Sequence, residues 1–184
     1  MPMIREKRAR LNGRAALLIA VLATMTIVAP AQAQSGRAAC LARHYAAYAR
    51  AQRDYQRAVE RLVVREDGTL RPLAAMARAE QIARIDARQR AVETLLATSP
   101  GTVHVDRATN EWLDWGPAEA RRLSSTDTVF ARLDSLARST AALTRDHPSW
   151  PRLRRAMQRS FPSAEHRAAL ARLDATLHAP PRCA

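Results

Sequence analysis

The 184-residue chain carries 30 lysines and arginines against 17 acids, a formal net charge of +13, and Lys7 is its one lysine. Alanine, arginine and leucine dominate, glycines number five, and β-branched residues form no sustained alternating run, which excludes a β-rich fold and predicts an all-α one. Such a charge favours anionic partners. The exclusive use of arginine is what a GC-rich genome produces, although that bias leaves the net sign unexplained.

Residues 1–33 read as an export signal, cleaved in the mature protein. Arg5, Lys7, Arg8, Arg10 and Arg14 form a basic n-region, Ala15 to Val28 is apolar, and Ala31 and Ala33 fit the A-x-A cleavage pattern. The apolar run of about 14 residues is short of the roughly 20 that span a bilayer, which argues against an uncleaved anchor. Arg37 lies three residues before Cys40, which is wrong for a lipidation site. The expected mature chain, from Gln34, is 151 residues with 25 arginines against 16 acids, a net +9. That is one domain's length, bound for the periplasm or the exterior.

The first helix of this domain is predicted from about Ala38 to Glu66. Leu41, Tyr45, Tyr48, Gln52, Tyr55, Val59 and Leu62 form a heptad seam, which favours dimerisation or a helical partner if part of it stays exposed. Arg50, Arg53, Arg57 and Arg61 lie on its outer side, with Asp54 and Glu60 partly neutralising them. Gly68 is expected to stop the helix in a left-handed conformation. A second helix follows from about Arg71 to Ala97, with Pro72 in its first turn. Its predicted stripe is Leu73, Ala77, Ile82, Ile85, Val92 and Leu96, with Asp86 and Arg90 paired outside. The short turn makes the two an antiparallel hairpin.

An irregular loop at about 99–117 comes next, with Thr102 to Val105 briefly extended. Pro117 opens a short helix to about Leu123. A longer one begins after Ser125 or Thr126 as N-cap, with Val129, Leu133, Leu136, Thr140 and Leu143 expected inward. His147-Pro148 stops it. Ser149 caps a helix through Ser160 with Trp150, Leu153, Met157 and Phe161 on one side. Pro162-Ser163 starts the last, which buries Leu170, Leu173 and Leu177. The chain thus reads as a single all-α helical bundle, a long hairpin plus three or four shorter helices.

Cys40 and Cys183 are the only cysteines, and in an exported chain they most simply bond to each other. Two candidate sites stand out. His104, Asp106, Glu111 and Asp114 lie in the irregular loop with Trp112 and Trp115; a histidine among carboxylates can do acid–base work, while the plainer alternative is a tryptophan plug with solvated polar residues. Arg152, Arg154, Arg155 and Arg159 form the second, in a helix with no acid from Trp150 to Pro162. Their guanidinium forks suit phosphate or carboxylate.

The spacing shows no nucleophile elbow, phosphate loop, metalloprotease motif or Cys/His cluster, so no catalytic residue, metal or cofactor is assigned. Export and the want of a docking motif argue against nucleic acid. The expected function is a non-enzymatic envelope binding protein for an anionic component or a protein partner. The alternatives are an enzyme built on the 104–115 loop and a scaffold without a ligand site.

Overall fold

The computed structural model describes the backbone of residues 15–183 and the side chains of residues 34–183. Arg5, Lys7, Arg8, Arg10 and Arg14 of the leader fall outside the described residues, as do the side chains of the apolar stretch and of Ala31 and Ala33. The chain divides into two compact units, residues 1–37 and 38–184.

The described residues form an all-α fold. Helix α1 (Ala15–Glu66) and α2 (Arg71–Thr98) are followed by α3 (Pro117–Thr126), α4 (Thr128–Arg145), α5 (Trp150–Ser160) and α6 (Ala164–Leu177). Helix α1 starts well before the predicted Ala38, at Ala15, and runs through Pro30 and Gly36 despite their low helix propensity. Its end is set by Asp67 rather than by Gly68. Asp67 is extended and its carboxylate accepts from the Thr69 N–H, whereas Gly68 is not left-handed and opens a 3-10 turn over Gly68–Leu70. Pro72 lies in the first turn of α2, where its missing N–H costs nothing.

The heptad seam of α1 is used within the chain. Leu41, Tyr45, Tyr48, Val59 and Leu62 are buried, and Gln52 and Tyr55 half-buried. On α2, Leu73, Ile85, Val92 and Leu96 are buried as predicted, but Ala77 and Ile82 only half so; Ala83, Ala87 and Ala91 fill the seam instead. Small residues there let neighbouring helices approach closely. The predicted Asp86–Arg90 pair does not form. Asp86 accepts from Arg53 across the hairpin at 2.8 Å, and Arg90 reaches Asp127 at 2.7 Å. Both tertiary partners displace the local one.

Two apolar clusters lie along the hairpin. Near the turn, Val59, Val63, Leu70, Leu73 and Ala74 pack with Leu153 and Ala156 of α5, and Trp150, Met157 and Phe161 pack half-buried against them, on the predicted side. Towards the other end, Leu41, Tyr45, Tyr48, Val92, Leu95 and Leu96 pack with Val103, Trp112, Leu113, Leu123 and Phe130. Burial pushes the Tyr45 hydroxyl up to about 12, partly offset by the nearby Arg88 charge, so it stays neutral. Cys40 and Cys183 are disulfide-bonded with Cα atoms 5.8 Å apart. The loop they close is 143 residues in sequence separation, for which chain entropy gives about 5 kcal/mol.

Helix α4 differs most from expectation. Its N-cap is Asp127, whose carboxylate takes the Val129 and Phe130 N–H groups, not Ser125 or Thr126, whose hydroxyls bond back to Arg122. Phe130, Ala137, Ala141 and Thr144 face inward; Val129, Leu136 and Leu143 are 52%, 53% and 64% exposed, and Leu133 and Thr140 half-buried. The predicted stripe lies about one residue out of phase. In α5, Ser149 occupies the N-cap without a side-chain bond. In α6, Ser163 caps as expected, taking the His166 N–H. Its Leu170 is exposed and Leu173 and Leu177 half-buried, whereas His166 and Ala169 are buried.

Candidate functional site

The irregular loop is built around Trp112, which is fully buried. Two short 3-10 turns, Pro100–Thr102 and Thr109–Glu111, flank Val103, whose dihedrals are extended as predicted. Trp112 packs on Tyr45, stacks with His44 at a centroid distance of 5.4 Å, and donates its indole N–H to the Arg107 carbonyl. Trp115 packs edge-on against Phe130. The buried Thr109 hydroxyl donates to the Leu177 carbonyl at 3.1 Å, tying the loop to the end of α6. Trp112 therefore packs towards the end of the bundle opposite the hairpin turn, whereas Trp115 lies about midway along the hairpin, near Gln52, Ile85 and Ala137.

Of the four polar loop residues singled out, the fold brings two together. His104 Nε2 lies 2.8 Å from Asp114 Oδ2, and Arg107 reaches the other oxygen at 3.2 Å. The His104 hydrogen bond, then the charges of His104 and Arg107, hold the Asp114 carboxyl below the usual range despite partial desolvation. Asp106 and Glu111 are exposed and make no ion pair among the described residues. No described serine, threonine or cysteine is hydrogen-bonded to His104, whose side-chain partner is Asp114. The pair pins the ends of the loop, beside the His104 N–H bond to the Trp112 carbonyl.

The four arginines of α5 divide into two pairs. Arg152 donates to Asp67 at 2.6 Å and to Thr69 at 3.0 Å, and Arg159 donates to Glu66 at 2.5 Å. These two anchor α5 to the hairpin turn. Hydrogen bonds from Thr69 and then Arg152 pull the Asp67 carboxyl below its ordinary range. Arg154 and Arg155 are exposed, with no ion pair among the described residues. On the neighbouring side Arg65 pairs with Glu165 of α6, and the hydrogen bond from Arg65 followed by the charges of Arg65, Arg61 and Arg172 lowers that carboxyl. Five arginines thus stand around the three carboxylates of Glu66, Asp67 and Glu165 at this end of the bundle, with Arg154 and Arg155 in addition.

The outer face of α1 is salt-bridged in part as expected, through Arg57 and Asp54 at 2.5 Å. Glu60, however, turns to Arg78 of α2. Its Oε2 lies 2.7 Å from Arg78 Nε, yet that N–H is not aimed along the line and counts as unpaired. We treat the contact as an ion pair without a directed hydrogen bond, since attraction at that separation does not need the angle.

Sequence reasoning missed two features. The first is Asp127, buried between α2 and α4, whose Oδ2 takes Arg90 and Thr94, both at 2.7 Å, while Oδ1 caps α4. Burial alone would raise this carboxyl; the Phe130 N–H, Thr94 and Arg90 outweigh it and hold it down to about 2. Its position beside Ser125 and Thr126 was the available signal. The second is a cavity of about 260 Å³ between α1, α2 and α5, walled by Tyr55, Trp150 and Phe161 among others. Trp150 and Phe161 were expected on the apolar side of α5, but periodicity cannot show that a seam is incompletely filled.

Among the described residues no cluster of three or more His, Cys, Asp or Glu side chains could hold a metal ion. None of their helices is long and apolar enough to cross a membrane. The fold and these sites define an all-α helical bundle tied by one disulfide. No protein family, curated protein or solved structure matches the chain.

Proposed function

We propose that this chain is an exported, non-enzymatic binding protein of the bacterial cell envelope that docks on an anionic surface through the hairpin-turn end of its bundle. The observation that carries this reading is the arginine excess there. Arg61, Arg65, Arg152, Arg159 and Arg172 surround three carboxylates, and Arg154 and Arg155 add two exposed charges that no acid of α5 offsets. Acids at the turn hold the arginines in place without cancelling them. Guanidinium groups suit the phosphates of lipid head groups. The basic, apolar and A-x-A succession of residues 1–33 supports export, and the Cys40–Cys183 bond is chemistry that an oxidising compartment allows.

Two measurements test the reading. The mature protein recovered from the envelope fraction should begin at Gln34. Purified protein should co-sediment with vesicles containing anionic phospholipid but not with purely zwitterionic ones, and binding should weaken as salt rises. Joint reversal, Arg154→Glu with Arg155→Glu, should lower the partition coefficient by on the order of tenfold or more, at about 1 kcal/mol per basic charge near such a surface. Equal binding to both vesicle types, or an unchanged double variant, overturns the proposal.

A further inference from the structure

We propose that the cavity between α1, α2 and α5 is a binding site for a small organic cation, an alkylammonium head on a short apolar body. The space is about 260 Å³. Its aromatic walls are Tyr55 of α1, Trp150 of α5 and Phe161, the residue that follows α5. Tyr55 and Phe161 are held before any ligand arrives. The Phe161 ring stacks on the buried His166 imidazole at 4.4 Å and 11°, and His166 Nε2 shares a 2.9 Å hydrogen bond with the Tyr55 hydroxyl. Rings fixed by packing and by a hydrogen bond lose little freedom when a guest enters.

The lining carboxylates select the guest. Glu60 and Glu80 both line the cavity, and Glu80 is only 9% exposed. Each has one oxygen engaged: Glu60 Oε2 by Arg78, and Glu80 Oε1 by Arg84 at 3.1 Å. Glu60 Oε1 and Glu80 Oε2 have no hydrogen-bond donor among the described residues. Arg78 and Arg84 each pair with one of these carboxylates, so the wall is balanced in charge and keeps two open carboxylate oxygens. On a chain of net charge +13 such a balanced patch departs from the basic surroundings. An anionic amphiphile would face both carboxylates. A hydrocarbon would leave the carboxylates' open oxygens unanswered in a drier space. A cation on an apolar body satisfies the aromatic faces and the carboxylates together. Exposed arginines beyond about 8 Å are screened at physiological salt and oppose its entry weakly.

The test uses the full domain and three probes of equal chain length: hexyltrimethylammonium, hexanoate and 1-hexanol. Each is titrated against tryptophan emission and the melting temperature. The ammonium should raise the melting temperature and perturb the emission, hexanoate should do neither, and hexanol should bind more weakly than the ammonium. Glu80→Gln and, separately, Trp150→Leu should each weaken the ammonium by about fivefold or more. Trp150→Leu keeps an apolar side chain there, so it serves as the measure if loss of the Glu80 charge unfolds the domain. The proposal fails if hexanoate or hexanol binds as well as the ammonium, if none of the three binds, or if ammonium affinity survives in a folded variant.

Discussion

Helices α1 and α4 carry apolar residues at the same heptad spacing and put them to opposite use. In α1 the positions Leu41, Tyr45, Tyr48, Val59 and Leu62 go inside; in α4 the matching positions Val129, Leu136 and Leu143 face water. The difference lies in what meets each helix. The α1 seam faces α2 and Trp112, a deep surface that large side chains fill. Helix α4 packs along α2, where alanines leave little depth. It meets that surface with Ala137, Ala141 and Thr144 and buries one large side chain fully, Phe130, with Leu133 half-buried against the same cluster. Its first turn is pinned by Asp127, which is bound to Arg90 and Thr94 of α2 and so fixes the rotation of the helix. Spacing names the candidate faces; size complementarity and a polar anchor choose between them.

The largest expected effect tests that phase directly. Phe130 is fully buried against Trp115 and the core beside α2. Phe130→Ala should cost about 3–5 kcal/mol in denaturant unfolding, the range for emptying a closed aromatic site. Its neighbour Val129, truncated to alanine, should change stability by about 0.5 kcal/mol or less. If the two costs were reversed, or equal, α4 would have to be rotated by one residue and the comparison with α1 would collapse.

The sequence made the hairpin legible because α1 is long, periodic and amphipathic, and because the Glu66–Asp67–Gly68 turn is short. The arginine candidates were visible as a charge run, but their division was not. Arg152 and Arg159 meet the turn carboxylates only because α5 folds back across residues 66–69. The same holds for Asp86, whose local partner Arg90 lost to Arg53 across the hairpin. In the loop, Trp112 was recognisable as a buried anchor, yet the choice of Asp114 over Asp106 and Glu111 as the partner of His104 depends on the path of the backbone around Trp112. Apolar spacing alone does not choose between neighbouring helix faces, which is why Leu170 and the α4 stripe were misplaced.

A middle-sized effect isolates the anchor that sets α4. The Asp127 carboxyl is held at about 2 against an ordinary 3.8. A depressed folded-state pKa stabilises above the unfolded value and is lost as pH falls through the folded one. The ionised carboxylate should therefore contribute about 2 kcal/mol at neutral pH, declining between pH 4 and 2. Asp127→Asn keeps a side-chain oxygen for the cap but removes the charge facing Arg90. Urea unfolding should show the variant weaker by about 2 kcal/mol at pH 7, with the two proteins converging near pH 2. A gap that stays constant down to pH 2 would mean that the hydrogen bonds, not the charge, hold α4 in register.

The smallest effect is the most discriminating for the outer stripe. Leu136 and Leu143 are more than half exposed, so replacing them by serine removes little buried apolar surface from the isolated domain. Leu136→Ser and Leu143→Ser should each shift stability by about 0.5 kcal/mol or less at low protein concentration. Serine lowers helix propensity slightly relative to leucine, so the expected sign is a small loss. The matching change in the α1 seam, Leu62→Ser, should cost several times more, because Leu62 is 5% exposed and its hydroxyl replacement would be buried. A large loss at Leu136 or Leu143 would show that the α4 stripe is covered in solution as the α1 seam is covered within the chain. Dependence of that loss on protein concentration would then separate cover by a second molecule from a different packing of the same one.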